Sequence, residues 1–301
     1  MTRPRALGDI SGLAACLLTL LPIELQAPRT FHTETNLVVL HATVKNTRGE
    51  LVTDLSQDAF TVYDNGTRQR IAVFQREDIP VSLGLLIDNS GSMRPVRAKV
   101  EAAALACVRA SNPEDEAFVL NFGDKPQLDV PLTSDVRVLE EGITRVDSIG
   151  GTAMRDAIDV GTQYLATSAH RERKVLLVIT DGKDNASVAS LEQIRKLAQQ
   201  REVTVYAIGL LSEENQAGAD SARHELNELT ESTGGAAYFP ASLEGIDAIA
   251  LGIAREIRNQ YTIAFNRTAR LDGSYRKLRV EVRGAGPLII RARPGYWATP
   301  Q

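Results

Sequence analysis

Cysteine, histidine and aromatic residues are all scarce in this chain. The two cysteines are Cys16 and Cys107, and Cys16 lies in an apolar N-terminal segment, so one thiol in the remaining chain excludes an internal disulfide. Aromatic residues make up 5% of the sequence, which argues against a platform that stacks the bases of single-stranded nucleic acid. The four histidines belong to no motif, so we expect them at the surface and not as metal ligands or catalytic bases. They are His32, His41, His170 and His224.

An excess of positive charge is also missing. The formal net charge is -4 at pH 7 and the isoelectric point is about 5.7. Without a basic stripe that carries interleaved aromatic residues, a nucleic-acid-binding function is excluded. The hydrophobic content of 43% in 301 residues is sufficient for a sizeable core in one or two domains.

The N-terminus has the organisation of an export signal. Arg3 and Arg5 precede the apolar run Leu13–Ile23, which is too short to span a bilayer comfortably. Ala27 then supplies a small residue at which a signal peptidase could cut. We therefore predict a signal peptide at residues 1–27 and an exported protein, either periplasmic or extracellular. The alternative is an uncleaved N-terminal membrane anchor.

Strands and helices alternate through the middle of the chain. Short apolar runs predict strands at Val81–Ile87, Ala117–Asn121, Gln127–Pro131, Lys174–Ile179, Thr204–Ile208 and Ala236–Phe239. Longer periodic segments predict helices at Val96–Arg109, Val136–Val146, Met154–Ser168, Leu191–Gln200, Ser221–Ser232 and Leu243–Arg258. This alternation is typical of an α/β fold with a doubly wound, mostly parallel six-stranded sheet and helices on both faces.

Both flanks of this α/β region have the pattern of β-structure. Residues 36–79 include a strong hairpin signal at Asn65-Gly66, and residues 259–298 contain three further strand-like segments. Each flank is too small to bury a core alone. We therefore predict that the two flanks pair with each other as one β-sandwich-like domain, interrupted by an α/β domain at residues 80–258.

Oxygen-bearing side chains collect where the predicted strands end. Asp88, Ser90 and Ser92 follow the first strand of the α/β region, and Asp181 follows the buried run "VLLVIT". Thr152 comes after two glycines, directly before a helix. Ligands of doubly wound sheets bind at the carboxyl ends of strands, so we expect these five side chains at one edge.

The chemistry of these side chains favours a hard divalent cation. All five offer oxygen and none offers nitrogen or sulfur, which selects Mg²⁺, Mn²⁺ or Ca²⁺ over zinc or copper. Two carboxylates roughly neutralise a divalent cation, and the hydroxyl groups add no charge. The cation then stays electrophilic toward one more anionic oxygen, such as a carboxylate from a protein partner.

These residues carry a family resemblance. Asp88-x-Ser90-x-Ser92, together with Thr152 and Asp181, resembles the metal-ion-dependent adhesion site (MIDAS) of von Willebrand factor type A domains. The resemblance covers about residues 80–258. It implies that the serine and threonine oxygens bind Mg²⁺ directly or through water, and that the aspartates act mostly through water.

The flanking segments extend the resemblance. "NLVVLHATVKN" before the α/β region and "QYTIAFN" after it are similar to segments of an exported bacterial group best known from acidobacteria. In related adhesion domains, movement of the last helix accompanies changes at the metal. The resemblance implies that the helix at Leu243–Arg258 could move in the same way.

Other interpretations of the strand-end residues remain open. Ser90 or Ser92 could cap the following helix, although capping leaves Thr152 unexplained. Asp88 could accept a phosphoryl group, with Lys183 as a weak candidate for the lysine that this chemistry needs. A serine-hydrolase nucleophile fits poorly, because the G-x-S-x-G pattern is missing around Ser90.

Neighbouring polar residues are ambiguous. Asp184 and Asn185 either line the rim of the metal site or belong to a solvated loop. We interpret Asn121, Gly123 and Asp124, at another strand end, as ordinary turn residues.

The leading functional hypothesis is a non-enzymatic, exported binding module. A Mg²⁺ ion at the five-residue site would bind an acidic residue of a protein partner, with Ca²⁺ or Mn²⁺ as possible substitutes. A structural scaffold with a purely stabilising metal is the first alternative. A metal-dependent hydrolase is the second, and it lacks an evident general base. No small-molecule substrate is evident from the sequence.

Overall fold

The central strand of the α/β region is mostly apolar and is buried along its whole length, and the fold follows from that property. All eight residues of Val81–Asp88 are buried in the computed structural model. A strand that is apolar on both faces must be covered on both faces, which is the environment of an inner strand in a parallel sheet. The structure describes residues 37–299 except 77, 145–149, 183, 212–215, 268–269 and 285. The predicted signal peptide at residues 1–27, His32 and Lys183 lie outside this part of the chain.

A six-stranded sheet forms around this strand and confirms the predicted fold class. Its strands are β5 (Val81–Asp88), β6 (Glu116–Phe122), β7 (Pro126–Thr133), β8 (Arg173–Thr180), β9 (Val203–Gly209) and β10 (Ala237–Tyr238). They lie in the order β10-β9-β8-β5-β6-β7. All neighbouring strands are parallel except β6 and β7, which pair antiparallel. The strand order reverses its direction at β5, between β8 and β6.

Helices cover both faces of this sheet. They are α1 (Arg97–Arg109), α2 (Val136–Thr144), α3 (Met154–Ser168), α4 (Leu191–Gln200), α5 (Gln216–Thr233) and α6 (Ile246–Arg258). Buried residues of α1, α2 and α6 belong to one apolar cluster, and those of α3, α4 and α5 belong to another. The alternation of side chains along each strand supplies both clusters.

Two helices begin more than one residue away from their predicted starts. α5 begins at Gln216, five residues before the predicted start at Ser221. The prediction missed the segment "QAGAD" because it is polar, contains glycine and lacks the apolar periodicity of a helix. α6 begins at Ile246, because Leu243–Gly245 forms a short 3₁₀ helix ahead of it. α2 ends at Thr144, and the rest of its predicted range lies outside the described residues.

The two flanks of the chain form two further sheets. Their strands are β1 (Leu37–Asn46), β2 (Phe60–Asp64), β3 (Thr67–Gln69), β4 (Ile71–Gln75), β11 (Tyr261–Asn266), β12 (Tyr275–Val282), β13 (Leu288–Arg291) and β14 (Gly295–Trp297). One sheet has the order β13-β1-β11-β4 and the other β14-β12-β2-β3. Each sheet therefore contains strands from both ends of the chain, and both sheets contribute to one apolar core. The exact domain boundaries stay a prediction.

The hairpin signal at Asn65-Gly66 has the expected backbone geometry. These residues join β2 to β3 and have φ angles of 45° and 82°. Two successive positive φ angles are typical of a type I′ turn, whose twist matches that of the flanking strands.

A buried carboxylate joins the last helix of the α/β region to the flanking strands. Glu256 on α6 is 1% exposed. It accepts hydrogen bonds from the hydroxyl groups of Tyr206 on β9, at 2.9 Å, and Tyr238 on β10, at 2.8 Å. Lys45 on β1 lies 2.8 Å from the carboxylate, and Arg291 on β13 forms a second ion pair with it. The carboxylate of Glu256 therefore joins helix α6, the six-stranded sheet and one of the flanking sheets.

None of the helices within the described residues has both the length and the apolar character needed to cross a membrane.

The Glu256→Gln substitution removes this charge while keeping the shape of the side chain. It leaves Lys45 and Arg291 facing each other without their anion, so we expect a loss of about 3 kcal/mol in the free energy of unfolding. Urea denaturation measures this loss. The control is Glu50→Gln, since the exposed pair of Glu50 with Arg48 is worth less than about 1 kcal/mol. Equal losses in the two variants would contradict the central role of Glu256.

Candidate metal site

Two carboxylates lie at the carboxyl ends of two adjacent parallel strands. Asp88 is the last residue of β5, and Asp181 follows Thr180, the last residue of β8. The register pairs Ile87 with Ile179, so the two strands end side by side. This position is next to the point where the strand order reverses, which is where doubly wound sheets bind ligands.

Hydroxyl groups connect these two carboxylates. The backbone N–H of Ser90 donates to Oδ1 of Asp88 at 2.8 Å, which turns the loop after β5 back toward the strand end. The hydroxyl oxygens of Ser90 and Ser92 are 3.1 Å apart. The Ser92 hydroxyl group donates to Oδ1 of Asp181, also at 3.1 Å. Four of the five predicted residues therefore form a continuous chain of hydrogen bonds, and they belong to two different loops.

Thr152, the fifth predicted residue, is held beside this chain by its backbone. It is buried, and its N–H donates to Oδ1 of Asn185 at 2.9 Å. Its carbonyl oxygen accepts hydrogen bonds from the N–H groups of Asn185 and Ala186. The N–H of Gly91 donates to the carbonyl oxygen of Gly150 at 3.2 Å and thereby joins the loop of Ser90 to the loop of Thr152.

Two glycines allow this loop to approach its neighbours closely. Gly150 has a φ angle of +86°, and a Cβ atom there would lie 2.4 Å from Oδ2 of Asp124. A Cβ atom at Gly151 would lie 2.7 Å from Oδ1 of Asn185. A side chain at either position would therefore require the side chain of Asp124 or Asn185 to shift.

Sequence reasoning missed the support that Thr180 and Asp124 give to the site, and it offered Asn185 only as one of two candidates for the rim. The Thr180 hydroxyl group donates to Oδ2 of Asp88 at 2.6 Å. Asp124, interpreted as a turn residue, accepts a hydrogen bond from the N–H of Gly151 at 2.7 Å. Asn185 anchors Thr152, as described above. A hydroxyl residue directly before Asp181 was a usable signal, whereas nothing in the sequence connects positions 124 and 151.

Asp184 belongs to a buried network, and its description as part of a solvated loop is wrong for this side chain. It is 5% exposed and accepts hydrogen bonds from the backbone and side chain of Arg155 and from the Ser187 hydroxyl group. Burial by itself raises the pKa of Asp184, but the hydrogen bonds from Arg155 and Ser187 outweigh burial and hold the pKa below its ordinary value.

The pKa values of the two carboxylates of the site, Asp88 and Asp181, are raised instead of lowered. Burial raises the pKa of Asp88, against the lowering effect of the hydrogen bonds from Thr180 and Ser90. Burial and the nearby charge of Asp88 raise the pKa of Asp181 to about 6. Two ionised carboxylates that repel each other at a buried edge fit a bound cation, which would lower both pKa values.

The donor set of the site is carboxylate and hydroxyl oxygen. Within the described ranges, no group of three or more His, Cys, Asp or Glu side chains is arranged to hold a metal. Asp88 and Asp181 are the two carboxylates here, so a cation would also need the oxygens of Ser90, Ser92 and Thr152. Such a set suits Mg²⁺, Mn²⁺ or Ca²⁺.

The contacts of the described histidines involve none of the five site residues. His170 contacts Glu116, and His224 is exposed on α5. His41 on β1 contradicts the surface expectation in part, because it is half-buried and contacts the Thr262 hydroxyl group at 3.1 Å. Burial, followed by the charges of nearby arginines, holds the pKa of His41 well below its ordinary value.

The Asp181→Asn substitution tests the cost of an ionised Asp181, which comes from burial and from repulsion by Asp88. The folded-state pKa of about 6 lies above the unfolded value of 3.8, so the folded protein binds more protons between these values and loses stability as pH rises. In EDTA, we expect the variant to match the wild type near pH 4. Above pH 6 it should be more stable by about 1 kcal/mol, after allowance for solvent screening.

Chemical denaturation across this pH range measures the difference. Asp54→Asn, which changes an exposed carboxylate, is the control and should give no such pH-dependent gain. A variant that is less stable than the wild type above pH 6 would contradict the assigned cost of the ionised carboxylate.

The Asn185→Ala substitution tests the anchoring of Thr152. Removing a residue that orients a metal ligand typically lowers metal affinity by about 10- to 100-fold, and we expect a loss in that range for Mg²⁺. Isothermal titration calorimetry measures it. Gln163→Ala, an exposed change on α3, should leave the affinity unchanged. Unchanged affinity in Asn185→Ala would show that Thr152 needs no such anchor.

Comparison with known proteins gives consistent matches. Residues 83–183 match the von Willebrand factor type A domain. A solved structure of a von Willebrand factor type A protein from Catenulispora acidiphila aligns with a TM-score of 0.53 at 12% identity, over 81% of this chain and 74% of that one. Proximal thread matrix protein 1 from the mussel byssus, solved with a zinc-occupied MIDAS motif, aligns with a TM-score of 0.52 at 18% identity, over 65% of this chain and 50% of that one.

A curated relative matches part of the chain. The uncharacterized protein sll0103 of Synechocystis sp. is 27% identical over 161 residues, which are 49% of this chain. The match spans only 37% of that relative's length. At these identities, the structural matches show the fold.

Proposed function

From the premise that this chain contains a von Willebrand factor type A domain, we propose that it is an exported, non-enzymatic binding module. Its site of Asp88, Ser90, Ser92, Thr152 and Asp181 holds a divalent cation and binds an acidic residue of a protein partner. The observation that carries the proposal is the hydrogen-bonded chain from Asp88 through the two serines to Asp181.

Each of the five residues has a role in this proposal. The hydroxyl groups of Ser90, Ser92 and Thr152 serve as neutral ligands, and the carboxylates of Asp88 and Asp181 balance the charge and orient the hydroxyl groups. When bound, the cation supplies a Lewis-acid position for a carboxylate oxygen from outside the chain. Ser92 is exposed, so the partner has access to the site from the open edge of the sheet.

The donor set supports Mg²⁺ as the cation in solution. Hydroxyl and carboxylate oxygens are hard ligands, and three neutral ligands leave a small site with little excess negative charge. Ca²⁺ and Mn²⁺ are chemically related substitutes. The zinc in the mussel byssus structure occupies a MIDAS motif of that protein, which indicates that such a motif also accepts other divalent ions.

A catalytic role would need a proton acceptor beside Ser90. None of the described histidines contacts Ser90, and each site carboxylate already accepts a hydrogen bond from a loop or strand hydroxyl group. The proposal therefore includes no chemical step. Export follows from the apolar N-terminal segment at residues 1–27 and stays part of the proposal.

Thermal unfolding with and without Mg²⁺ tests the metal site. A ligand at 100 times its Kd stabilises the folded state by about 2.7 kcal/mol, so saturating Mg²⁺ should raise the Tm by several degrees. Ser92→Ala changes an exposed residue, so the variant should fold normally and lose most of this rise. Ser242→Ala, another exposed serine with no capping hydrogen bond, is the control and should keep it. A full rise in Ser92→Ala would overturn the assigned ligand set.

Capture from the native cell envelope, with Mg²⁺ or with EDTA, tests the binding role. We expect partner proteins that are retained in Mg²⁺ and released by EDTA, and that Ser92→Ala does not retain. If Mg²⁺ raises the Tm but no retained protein depends on it, the metal has a purely stabilising role and the chain is a scaffold.

A further inference from the structure

One apolar side chain is fully presented to solvent in the loop that begins with Asp181. Val188 is 93% exposed, whereas the other exposed large hydrophobic residues in the described part of the chain are 37% to 58% exposed. The loop connects β8 to α4, so Val188 is on the same edge of the sheet as the metal site. A single exposed valine is ordinary on a flexible surface, and the question is whether this loop is fixed.

Hydrogen bonds hold the backbone of Val188 in place. Its N–H donates to the carboxylate of Asp156, at 3.1 Å from both oxygens, and the N–H of Ala189 donates to the same carboxylate at 2.9 Å. In return, the N–H of Asp156 donates to the Ser187 hydroxyl group at 3.1 Å. The loop is therefore bound to the first turn of α3 on both sides of Val188.

The ligand Thr152 lies two residues before this same turn of α3, which begins at Met154. Asn185 binds the backbone of Thr152 in both directions, and buried Asp184 accepts a hydrogen bond from the N–H of Arg155 at 2.8 Å. Three residues of chain reach at most about 11 Å, which is then the greatest distance between the Cα atoms of Asn185 and Val188. Val188 is thus three residues along a hydrogen-bonded loop from Asn185, the residue that anchors the ligand Thr152.

This arrangement makes the apolar side chain part of the surface that a partner meets. Of the polar side chains of this loop, Asp184 is buried and Ser187 is half-buried, whereas Val188 is exposed together with the polar Asn185 and Ser190. A rigid backbone means that its burial by a partner orders no loop, and the apolar area removed from water then favours binding without that cost.

We propose that Val188 is a specificity-determining contact beside the metal site, and that it fits an apolar side chain next to the acidic residue of the partner. The proposal rests on the function proposed above and defines its ligand further. A partner with an isolated acidic residue in a polar surface would bind more weakly. Loss of the contact should weaken binding by about tenfold, as expected for one buried valine side chain.

Selection from a phage-displayed library of random peptides tests this proposal. The full chain is immobilised in Mg²⁺, and bound phage are released with EDTA. For the wild type, we expect peptides enriched in Asp or Glu with an apolar residue at a neighbouring position. For Val188→Ser, the acidic residue should stay enriched while the apolar preference is lost.

Two controls separate the possible failures. Ile289→Ser changes a side chain that is 58% exposed on β13, outside the α/β region, and should leave both preferences unchanged. Calorimetric titration should give the same Mg²⁺ affinity for Val188→Ser as for the wild type. A lower affinity would overturn the proposal, because Val188 would then act on the metal site itself.

The outcomes distinguish the two proposals. If peptides selected on the wild type show no acidic enrichment, the proposed function fails and the role of Val188 fails with it. If acidic residues are enriched but Val188→Ser selects the same apolar neighbours as the wild type, the proposed function stands and the role of Val188 is overturned.

Discussion

The burial of two carboxylates, Asp88 and Asp181, at one edge of the sheet is the constraint on which the site depends. The parallel register of β5 and β8 brings both carboxylates to one edge, and burial raises the pKa of each. Hydroxyl groups of Ser92 and Thr180 offset part of this cost by donating hydrogen bonds to them. A divalent cation would offset the remainder of this cost. We therefore expect bound cation to stabilise this edge of the sheet.

Hydrogen bonds connect the loops around this edge to one another. Gly91 binds the carbonyl oxygen of Gly150, Asp124 binds the N–H of Gly151, and Asn185 binds Thr152. A disturbance of one loop therefore reaches the others, which makes ligand geometry a property of the whole edge. The same connections hold the outer loop rigid, and a rigid rim can discriminate between partners.

At the other end of the α/β region, Glu256 ties α6 to the flanking sheets. The resemblance to adhesion domains raises the expectation that this last helix moves when the metal site changes. In this chain such a movement would have to break or carry along the contacts of Glu256 with Lys45, Tyr206 and Tyr238. The flanking sheets are thus placed where they would resist a movement of α6 or respond to it.

The sequence by itself determined the order of the elements, the fold class and the five candidate metal residues, because apolar periodicity and side-chain chemistry are local properties of the chain. Only the tertiary structure decided which residues support them: Asp124 reaches Gly151 and Thr180 reaches Asp88 across loops and strands distant in sequence. It also decided that Asp184 is buried while Val188 is exposed, because local composition does not specify which loop side chains face inward.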